Sequence, residues 1–170
     1  ACYPHFVSRV DLLETHISWI LLAGDYAYKI KKPVNLEFLD FTSLAARRHY
    51  CEEELRLNQR LAPDIYLGTA VITGDPVAPR IGGDGQAIEY AVKMRRFAQS
   101  ALLDAALARG AVSTPTIAVL AGKIAKFHAA VSSAAATPGF DATDSMLAPA
   151  LDNFRQMLPL LDAPQDIEVL

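Results

Sequence analysis

The sequence predicts an α+β fold, because strand-forming and helix-forming segments are separated along the chain. Strand patterns dominate up to Phe97, with one long helical segment among them, whereas only helical patterns follow from Ser100. Runs of strands followed by runs of helices are typical of α+β domains. Hydrophobic residues make up 52% of the 170 residues and charged residues 21%, a composition that can bury a core. We therefore expect an antiparallel sheet that carries one long helix, followed by a helical region.

The first strands form a predicted hairpin. Thr15–Ala23 is short and rich in residues that favour strands. Gly24-Asp25 follows as a tight turn, since glycine accepts the positive φ that such turns need. Tyr26–Lys32 is the second predicted strand. Pro33 ends it, because proline has no N–H to donate to a neighbouring strand.

One long helix is predicted between the strand pairs. It runs from Ser43 to Leu61, with Thr42 as its N-cap and Pro63 beyond its end. Apolar side chains recur at helical spacing and predict the buried face: Tyr50, Leu57 and Leu61, widened by Leu44, Cys51 and Leu55. Glu54 lies on the same face, between Tyr50 and Leu57.

A second pair of strands is predicted at Ile65–Thr73 and Ala87–Phe97, with two turn signals between them. The first signal is Gly74-Asp75-Pro76 and the second is Gly82-Gly83-Asp84-Gly85. The glycine cluster is a poor phosphate loop, because no Lys-Ser/Thr pair follows it and it does not open a helix. We therefore interpret it as a hairpin turn.

The remainder of the chain is predicted to be helical. A short helix covers Ser100–Arg109, and Ser113 or Thr114 caps a longer helix that follows. Ser132–Asp144 has the composition of a linker, and a last helix is predicted over Leu147–Leu161. The longer helix carries a predicted buried face at a spacing of three and four: Ile117, Leu120, Ala121, Ile124, Phe127 and His128.

Charge, cysteine content and hydropathy exclude several protein classes. The net charge of −3 at pH 7 argues against a nucleic-acid partner, although basic residues cluster locally. The two cysteines, Cys2 and Cys51, form no disulfide framework and favour a reducing, cytoplasmic compartment. The first residues have neither the basic nor the apolar segment of a signal peptide. No apolar run approaches the roughly 20 residues that span a bilayer.

A strand lysine followed by a helix glutamate is the most informative pair. Lys29 and Lys31 share one face of the second predicted strand, and Glu54 lies on the next helix. Phosphoryl transfer needs cationic groups near the nucleotide phosphates, and a carboxylate on a neighbouring helix can hold a flexible lysine in place. The same spacing also fits ordinary surface charges, so the residues alone leave both interpretations open.

Several segments resemble the kinase-like domain of bacterial proteins of the aminoglycoside phosphotransferase-like family. The resemblance covers most of the chain and is specific in the first hundred residues. It is carried by these segments: Glu14–Trp19, Tyr28–Pro33, Leu39–Phe41, Cys51–Asn58, Leu61–Gly68, Glu89–Phe97 and Phe127-His128.

The resemblance implies a protein-kinase-like fold and a role for each site residue. Lys29 would bind phosphate and Glu54 would hold it, with Lys31 and Glu53 as the respective alternatives. The chain would divide into a nucleotide-binding lobe over residues 1–98 and the start of a helical lobe over residues 99–170. The hinge between them would be Met94 to Ala98, whose backbone would bind the adenine edge. The implied nucleotide-binding residues are Lys29, Glu54, Met94, Arg96 and Phe97.

The catalytic part of such an enzyme is not found in this sequence. Kinase-like enzymes need an aspartate that orients the attacking hydroxyl and another that holds magnesium. In the resembled family the first follows a histidine by two residues, yet none of the four histidines here has an aspartate at that position. We therefore expect a fragment that lacks the catalytic loop and the Mg²⁺ ligands and contains no catalytic residue of its own.

Two functions follow from the resemblance. The parent protein would transfer phosphate from ATP to a small-molecule hydroxyl. Alternatively, the domain would bind a nucleotide without catalysis and regulate a P-loop ATPase domain, which is fused to this domain in many members of the family.

Overall fold

A computed structural model of the protein describes residues 2–36, 38–131 and 142–157. It has the α+β architecture that the sequence predicts. The elements within the described residues are strands β1 (Val10–Glu14), β2 (Ser18–Ala23), β3 (Tyr26–Lys31), β4 (Tyr66–Asp75), β5 (Ala78–Ile81) and β6 (Ala87–Arg95), and helices α1 (Leu44–Asn58), α2 (Leu103–Ala108), α3 (Thr114–Ala130) and α4 (Ala142–Met157). The chain divides into two compact units, Ala1–Val119 and Leu120–Leu170.

The strands of the first unit form an antiparallel sheet in the order β1-β2-β3-β6-β4-β5. The last strand in sequence, β6, therefore lies between β3 and β4 and pairs with both. Lys29 of β3 is paired with Ile20 of β2 on one side and with Val92 of β6 on the other. This lysine thus lies in the interior of the sheet, with neighbouring strands on both sides.

The predicted hairpin is confirmed, but its first strand is shorter than predicted. Gly24 forms the turn between β2 and β3 with a φ of +59°. The strand begins at Ser18 rather than Thr15, because Thr15 closes a turn in which its Oγ1 accepts a hydrogen bond from the Ser18 N–H at 3.0 Å. Two strands were not predicted: β1, which precedes this turn, and β5, which lies between the two predicted glycine turns.

Helix α1 begins one residue later than predicted, and Thr42 is not its cap. Ser43 is the N-cap, and its Oγ accepts a hydrogen bond from the Ala46 N–H at 3.1 Å. The Thr42 hydroxyl is engaged elsewhere, since it donates to Asp40 Oδ1 at 2.6 Å. The helix ends at Asn58, three residues before the predicted end.

The predicted buried face of α1 is right at Cys51 but wrong at three of its large apolar residues. Arg47 and Cys51 are its buried residues, whereas Tyr50, Leu57 and Leu61 are between 36% and 56% exposed. The helix packs against β6 and β4. Ion pairs from Arg47 and Glu54 to the sheet determine which side of the helix faces inward. Helical spacing alone could not distinguish this side from the neighbouring apolar stripe.

The hydrophobic core lies on the face of the sheet that carries Tyr28. Alternation along β3 places Tyr28 opposite to Lys29 and Lys31, as predicted. The buried members of this core are Ala23, Tyr28, Ile72, Ile81 and Ala91. The N-terminal segment covers part of it, with Tyr3 and Val7 packed against the cluster.

The helices after the sheet bury little. Ser113 caps α3, with its Oγ accepting from the Thr116 N–H at 3.4 Å. The face predicted to be buried is exposed instead, at 45% for Ile117, 41% for Leu120 and 42% for Ile124. His128, assigned to that face, is exposed as well. Phe127, also assigned to that face, is partly buried, and the prediction of burial is wrong for the exposed members.

The remaining helix boundaries differ from the predictions in both directions. Helix α2 is shorter than predicted, because residues 99–101 form a 3₁₀ turn before it. Helix α4 begins at Ala142, inside the predicted linker, and continues through Pro149. Residues 132–141, which make up most of that linker, and residues 158–161 of the predicted last helix lie outside the described residues. None of the helices in the described ranges has the length and apolar content needed to cross a membrane.

Candidate functional site at the lysine–glutamate cluster

Strand β3 and helix α1 bring Lys29, Lys31 and Glu54 into one cluster. Lys29 Nζ lies 2.8 Å from Glu54 Oε1, and Lys31 Nζ lies 2.7 Å from Glu54 Oε2. Each lysine therefore binds a different oxygen of the same carboxylate. The side chains are 25% exposed for Lys29, 5% for Lys31 and 13% for Glu54. The sequence analysis treated the lysines as alternatives, whereas the structure shows both bound to Glu54.

The period of a strand explains why both lysines reach the helix. Residues two apart on a strand point to the same side, so Lys29 and Lys31 both face α1. Glu54 follows Cys51 by three residues and Arg47 by seven, spacings that place all three on one side of a helix. The alternative glutamate, Glu53, points away and pairs with Arg56 at 2.7 Å.

A second ion pair fixes the start of α1 against the sheet. Arg47 Nε lies 3.0 Å and 2.9 Å from the two carboxylate oxygens of Glu89 on β6. Its Nη1 donates to the backbone carbonyls of Phe41 and Thr42 at 2.9 and 2.8 Å. Buried charges need such a full set of partners to be tolerated. Arg47 thus joins the helix, the sheet and the segment that precedes the helix.

The electrostatics of the cluster favour a charged carboxylate. Burial raises the pKa of Glu54, but hydrogen bonds and ion pairs from Lys29 and Lys31 outweigh it and lower the pKa below its ordinary value. Two ammonium groups and one carboxylate leave the cluster with one excess positive charge. Nearby, burial raises the pKa of the Cys51 thiol to about 11, so this thiol is protonated at neutral pH.

A cavity of about 430 Å³ lies beside Lys29. Its walls come from β1, β2, β3, the start of β4, β6 and the segment that follows β6. The lining residues are Leu13, Ile20, Leu22, Ala27, Lys29, Ile65, Tyr66, Met94, Arg95, Arg96, Phe97, Gln99 and Leu102. They are mostly apolar, with few charged groups, which is typical of sites for small organic ligands. Lys29 is on this wall and Lys31 is not.

The predicted hinge residues Met94, Arg96 and Phe97 all line the cavity. Strand β6 ends at Arg95, and residues 96–98 follow without regular secondary structure. The Arg96 N–H donates to the Asp25 carbonyl at 2.8 Å, so it is engaged within the protein in this conformation. The predicted backbone contact from the segment Met94 to Ala98 to a ligand can therefore use the Arg96 N–H only if this bond opens first.

Sequence reasoning missed much of the cavity wall. Leu13 belongs to the unpredicted strand β1, and Tyr66 and Ile20 carry no motif that marks them as ligand contacts. Only the pairing of strands brings them together with Ala27, which precedes Lys29 by two residues. Among the described residues, no group of three His, Cys, Asp or Glu side chains is placed to hold a metal ion.

Comparison with known proteins finds relatives but no family. The chain is 36% identical over 119 residues to Uncharacterized protein Rv2004c and Uncharacterized protein MT2060 of Mycobacterium tuberculosis and to Uncharacterized protein Mb2027c of Mycobacterium bovis. The match covers 70% of this chain and 22% of each relative, so the chain spans only a small part of their length. No family model matches the sequence, and no solved structure matches it.

Proposed function

We propose that this chain contributes the nucleotide-binding lobe of a kinase-like phosphotransferase. The complete protein would use ATP with Mg²⁺ and transfer phosphate to the hydroxyl of a small molecule. The observation that carries the proposal is the Lys29–Glu54 ion pair of 2.8 Å beside an apolar cavity. In protein kinases a lysine on the third strand pairs with a glutamate on the helix that follows, and this lysine holds the nucleotide phosphates.

The strand order supports this proposal. Lys29 lies on the third strand of the sheet, Glu54 lies on the helix that follows it, and β6 returns between β3 and β4. The unpredicted strand β1 is essential to this correspondence, because it makes β3 the third strand. From β6 the chain runs directly into the segment 96–98, where the resemblance implies a hinge.

The cavity supports a planar, largely apolar ligand group. Its volume of about 430 Å³ lies within the usual range of small-molecule sites, roughly 300–1,000 Å³. Ala27 and Ile20 can pack on the faces of a purine ring, while Lys29 on the same wall can bind the attached phosphates. The excess positive charge of the lysine–glutamate cluster favours an anion at that position.

Catalysis itself would depend on other parts of a longer protein. No histidine of this sequence is followed two residues later by aspartate, so the proposal places the hydroxyl-orienting aspartate and the Mg²⁺ ligands outside this chain. The relatives are several times longer than the match, which leaves room for these groups. The acceptor is proposed only as a small-molecule hydroxyl, since a fold does not determine a substrate.

Nucleotide binding by the 170-residue chain tests the proposal. Trp19, the single tryptophan, precedes Ile20 of the cavity wall and can report binding by fluorescence during titration with MgATP. We expect saturable binding that Lys29→Ala weakens by at least about tenfold, since a charged hydrogen bond contributes roughly 1.5–3 kcal/mol. The matched control is Lys123→Ala on α3, which removes an exposed lysine and should leave affinity unchanged. Equal affinities of the two variants would refute the assignment.

Turnover in the complete protein separates catalysis from regulation. If the full-length protein hydrolyses or transfers the γ-phosphate and Lys29→Ala abolishes this, the phosphotransferase proposal stands. If the protein binds MgATP through Lys29 but transfers no phosphate to any hydroxyl compound, the domain is a noncatalytic nucleotide sensor. In that case an attached P-loop ATPase would be the partner to test.

A further inference from the structure

We propose that Lys31 is a positioning residue that keeps Glu54 and helix α1 on the sheet while Lys29, still paired with Glu54, also binds an anionic ligand. The inference rests on the proposed function of Lys29, and it assigns the second lysine a separate task. Lys29 would be shared between Glu54 and the ligand, whereas Lys31 would bind Glu54 alone.

The two lysines are placed differently although they bind the same carboxylate. Lys31 is 5% exposed, and its Nζ lies 5.1 Å from the centre of the Phe41 ring, a distance at which a cation is attracted to an aromatic face. Lys29 is 25% exposed and lines the cavity. An arriving anion therefore meets Lys29, while Lys31 stays enclosed between the strand, the helix and Phe41.

The division of the carboxylate between the lysines allows Lys29 to bind a ligand as well. Each ammonium group binds its own oxygen of Glu54, so a ligand that weakens the bond from Lys29 leaves the bond from Lys31 intact. With a single lysine, the same weakening would leave Glu54 buried and poorly paired, which disfavours the folded arrangement. Here Lys31 neutralises Glu54, and the charge of Lys29 is available to the ligand.

The Lys31–Glu54 pair attaches the second half of α1 to the sheet. Arg47 anchors the first turn to Glu89 of β6, and Glu54 lies about two turns later. Cys51 lies between these anchors and is fully buried, whereas the only other cysteine, Cys2, is exposed. The reactivity of Cys51 in a Cys2→Ser background therefore reports how often α1 leaves the sheet.

The first experiment needs no nucleotide. The rate at which a disulfide reagent modifies Cys51 is measured at one pH in the Cys2→Ser chain and in its Lys29→Met, Lys31→Met and Lys31→Arg derivatives. We expect Lys31→Met to raise the rate by about tenfold or more, Lys29→Met by less than about threefold, and Lys31→Arg to remain near the parent. Lys31 lowers the pKa of Cys51, so its loss would slow the thiol chemistry itself. A faster reaction must then report opening of the helix.

A double variant separates positioning from general packing. If Lys31 acts through Glu54, then Lys31→Met should add little to the Cys51 rate once Glu54→Gln is present. A full additional increase would show that Lys31 merely fills space, and equal rates in Lys29→Met and Lys31→Met would show that the two lysines share one role. Either result overturns the inference.

A second measurement follows the unmutated side chains directly and uses variants only to assign the signals. The ammonium ¹⁵N signals of Lys29 and Lys31, assigned with Arg substitutions, are followed while MgATP is added to the 170-residue chain. We expect the Lys29 signal to shift more than the Lys31 signal, because Lys31 senses the ligand only through the shared carboxylate of Glu54; a Lys31 shift as large as that of Lys29, or larger, would overturn the inference. If MgATP leaves both signals and Trp19 fluorescence unchanged, the proposed function fails, and the Cys51 rates then decide separately whether Lys31 holds the helix.

Discussion

Apolar side chains at regular spacing are buried in the sheet but exposed in the helices that follow it. In the sheet, Tyr28 and Ala91 are completely buried. In α3, Ile117, Leu120 and Ile124 recur at helical spacing with similar hydrophobicity, yet each is more than 40% exposed. Helix α1 lies between these extremes, because it packs on the sheet mainly through Arg47, Cys51 and Glu54 and leaves Tyr50 and Leu57 exposed.

The difference shows that an amphipathic pattern and a buried face are separate properties. A strand acquires its neighbours from hydrogen-bonded pairing, so its inward residues are covered as soon as the sheet forms. A helix satisfies its own backbone and needs another element to cover its apolar face. The stability of the described residues should therefore reside in the sheet and α1, and substitutions in α3 and α4 should have small effects.

The largest expected effect comes from the core of the sheet. Tyr28→Ala should reduce the free energy of unfolding by about 3–5 kcal/mol, the range for large core side chains cut to alanine. The equivalent change in α3, Leu120→Ala, should cost less than about 1 kcal/mol, since the side chain is already 41% exposed. Urea unfolding followed by Trp19 fluorescence measures both. A Leu120→Ala effect as large as that of Tyr28→Ala would break the comparison.

Tyr28→Phe sharpens this test. Within the described residues the buried Tyr28 hydroxyl has no hydrogen-bond partner, and an unpaired buried hydroxyl destabilises the folded state. Its removal should be neutral or slightly stabilising, so the effect of Tyr28→Ala can be attributed to the ring.

The next effect concerns the ion pairs of the two regions. Arg47→Ala removes the partner of Glu89 and of two backbone carbonyls, and should destabilise the fold by about 3 kcal/mol because Glu89 is left partly buried and unpaired. Arg155 in α4 also pairs with an acid, Asp152, but its side chain is 72% exposed. Arg155→Ala should change stability by less than about 0.5 kcal/mol. Thermal unfolding of both variants provides the comparison.

An acid titration tests the lysine–glutamate cluster. The pKa of Glu54 is lower in the folded state than in an unfolded chain, so its stabilising contribution is present above the ordinary pKa of glutamate and is lost as the pH falls through the folded value. Glu54→Gln should reduce stability at pH 7 by about 2 kcal/mol. It should also flatten the decline in stability below about pH 4.5. An unchanged acid profile in Glu54→Gln would show that other groups cause the decline.

The smallest expected effects on stability come from the two helix caps, Ser43 and Ser113. Ser43→Ala should cost about 1 kcal/mol, the usual value for the loss of an N-cap, because α1 folds together with the sheet. Ser113→Ala removes the corresponding cap of α3 and should lower helix content without shifting the unfolding midpoint seen by Trp19. Circular dichroism and fluorescence measured on the same samples distinguish the two outcomes.

The sequence predicted local features well where one residue determines the backbone. Gly24 at the hairpin turn, Pro33 after β3 and a cap at Ser113 or Thr114 act through their own φ or hydrogen bonds. The structure confirms the turn and the end of β3, and of the two candidate caps it has Ser113. The alternation of β3 likewise placed Lys29 and Lys31 together on one face. The cap of α1 was wrong by one residue, because Thr42 and Ser43 are both suitable and the choice depends on the hydrogen bond from Thr42 to Asp40.

The candidate site could be predicted only in part. A lysine on a strand and a glutamate on the next helix were identified from their spacing and from the resemblance. The cavity wall from β1 was not, since five residues with weak alternation do not show a strand until β2 pairs with them. The exposure of α3 could not be predicted from the sequence either, because periodicity indicates a helix but not which elements pack against it.

The sequence by itself determined the hairpin, the lysine face of β3, and the helical character of the segments that become α1 and α3. These depend on dihedral preferences and on periods of 2.0 and 3.6 residues, which are local properties. Only the tertiary structure decided that both lysines bind Glu54, that Lys29 alone of the two faces the cavity, and that Arg47 rather than Tyr50 faces the sheet. These depend on which strands pair and how α1 lies on them, and residues 25 positions apart in sequence meet only through that packing.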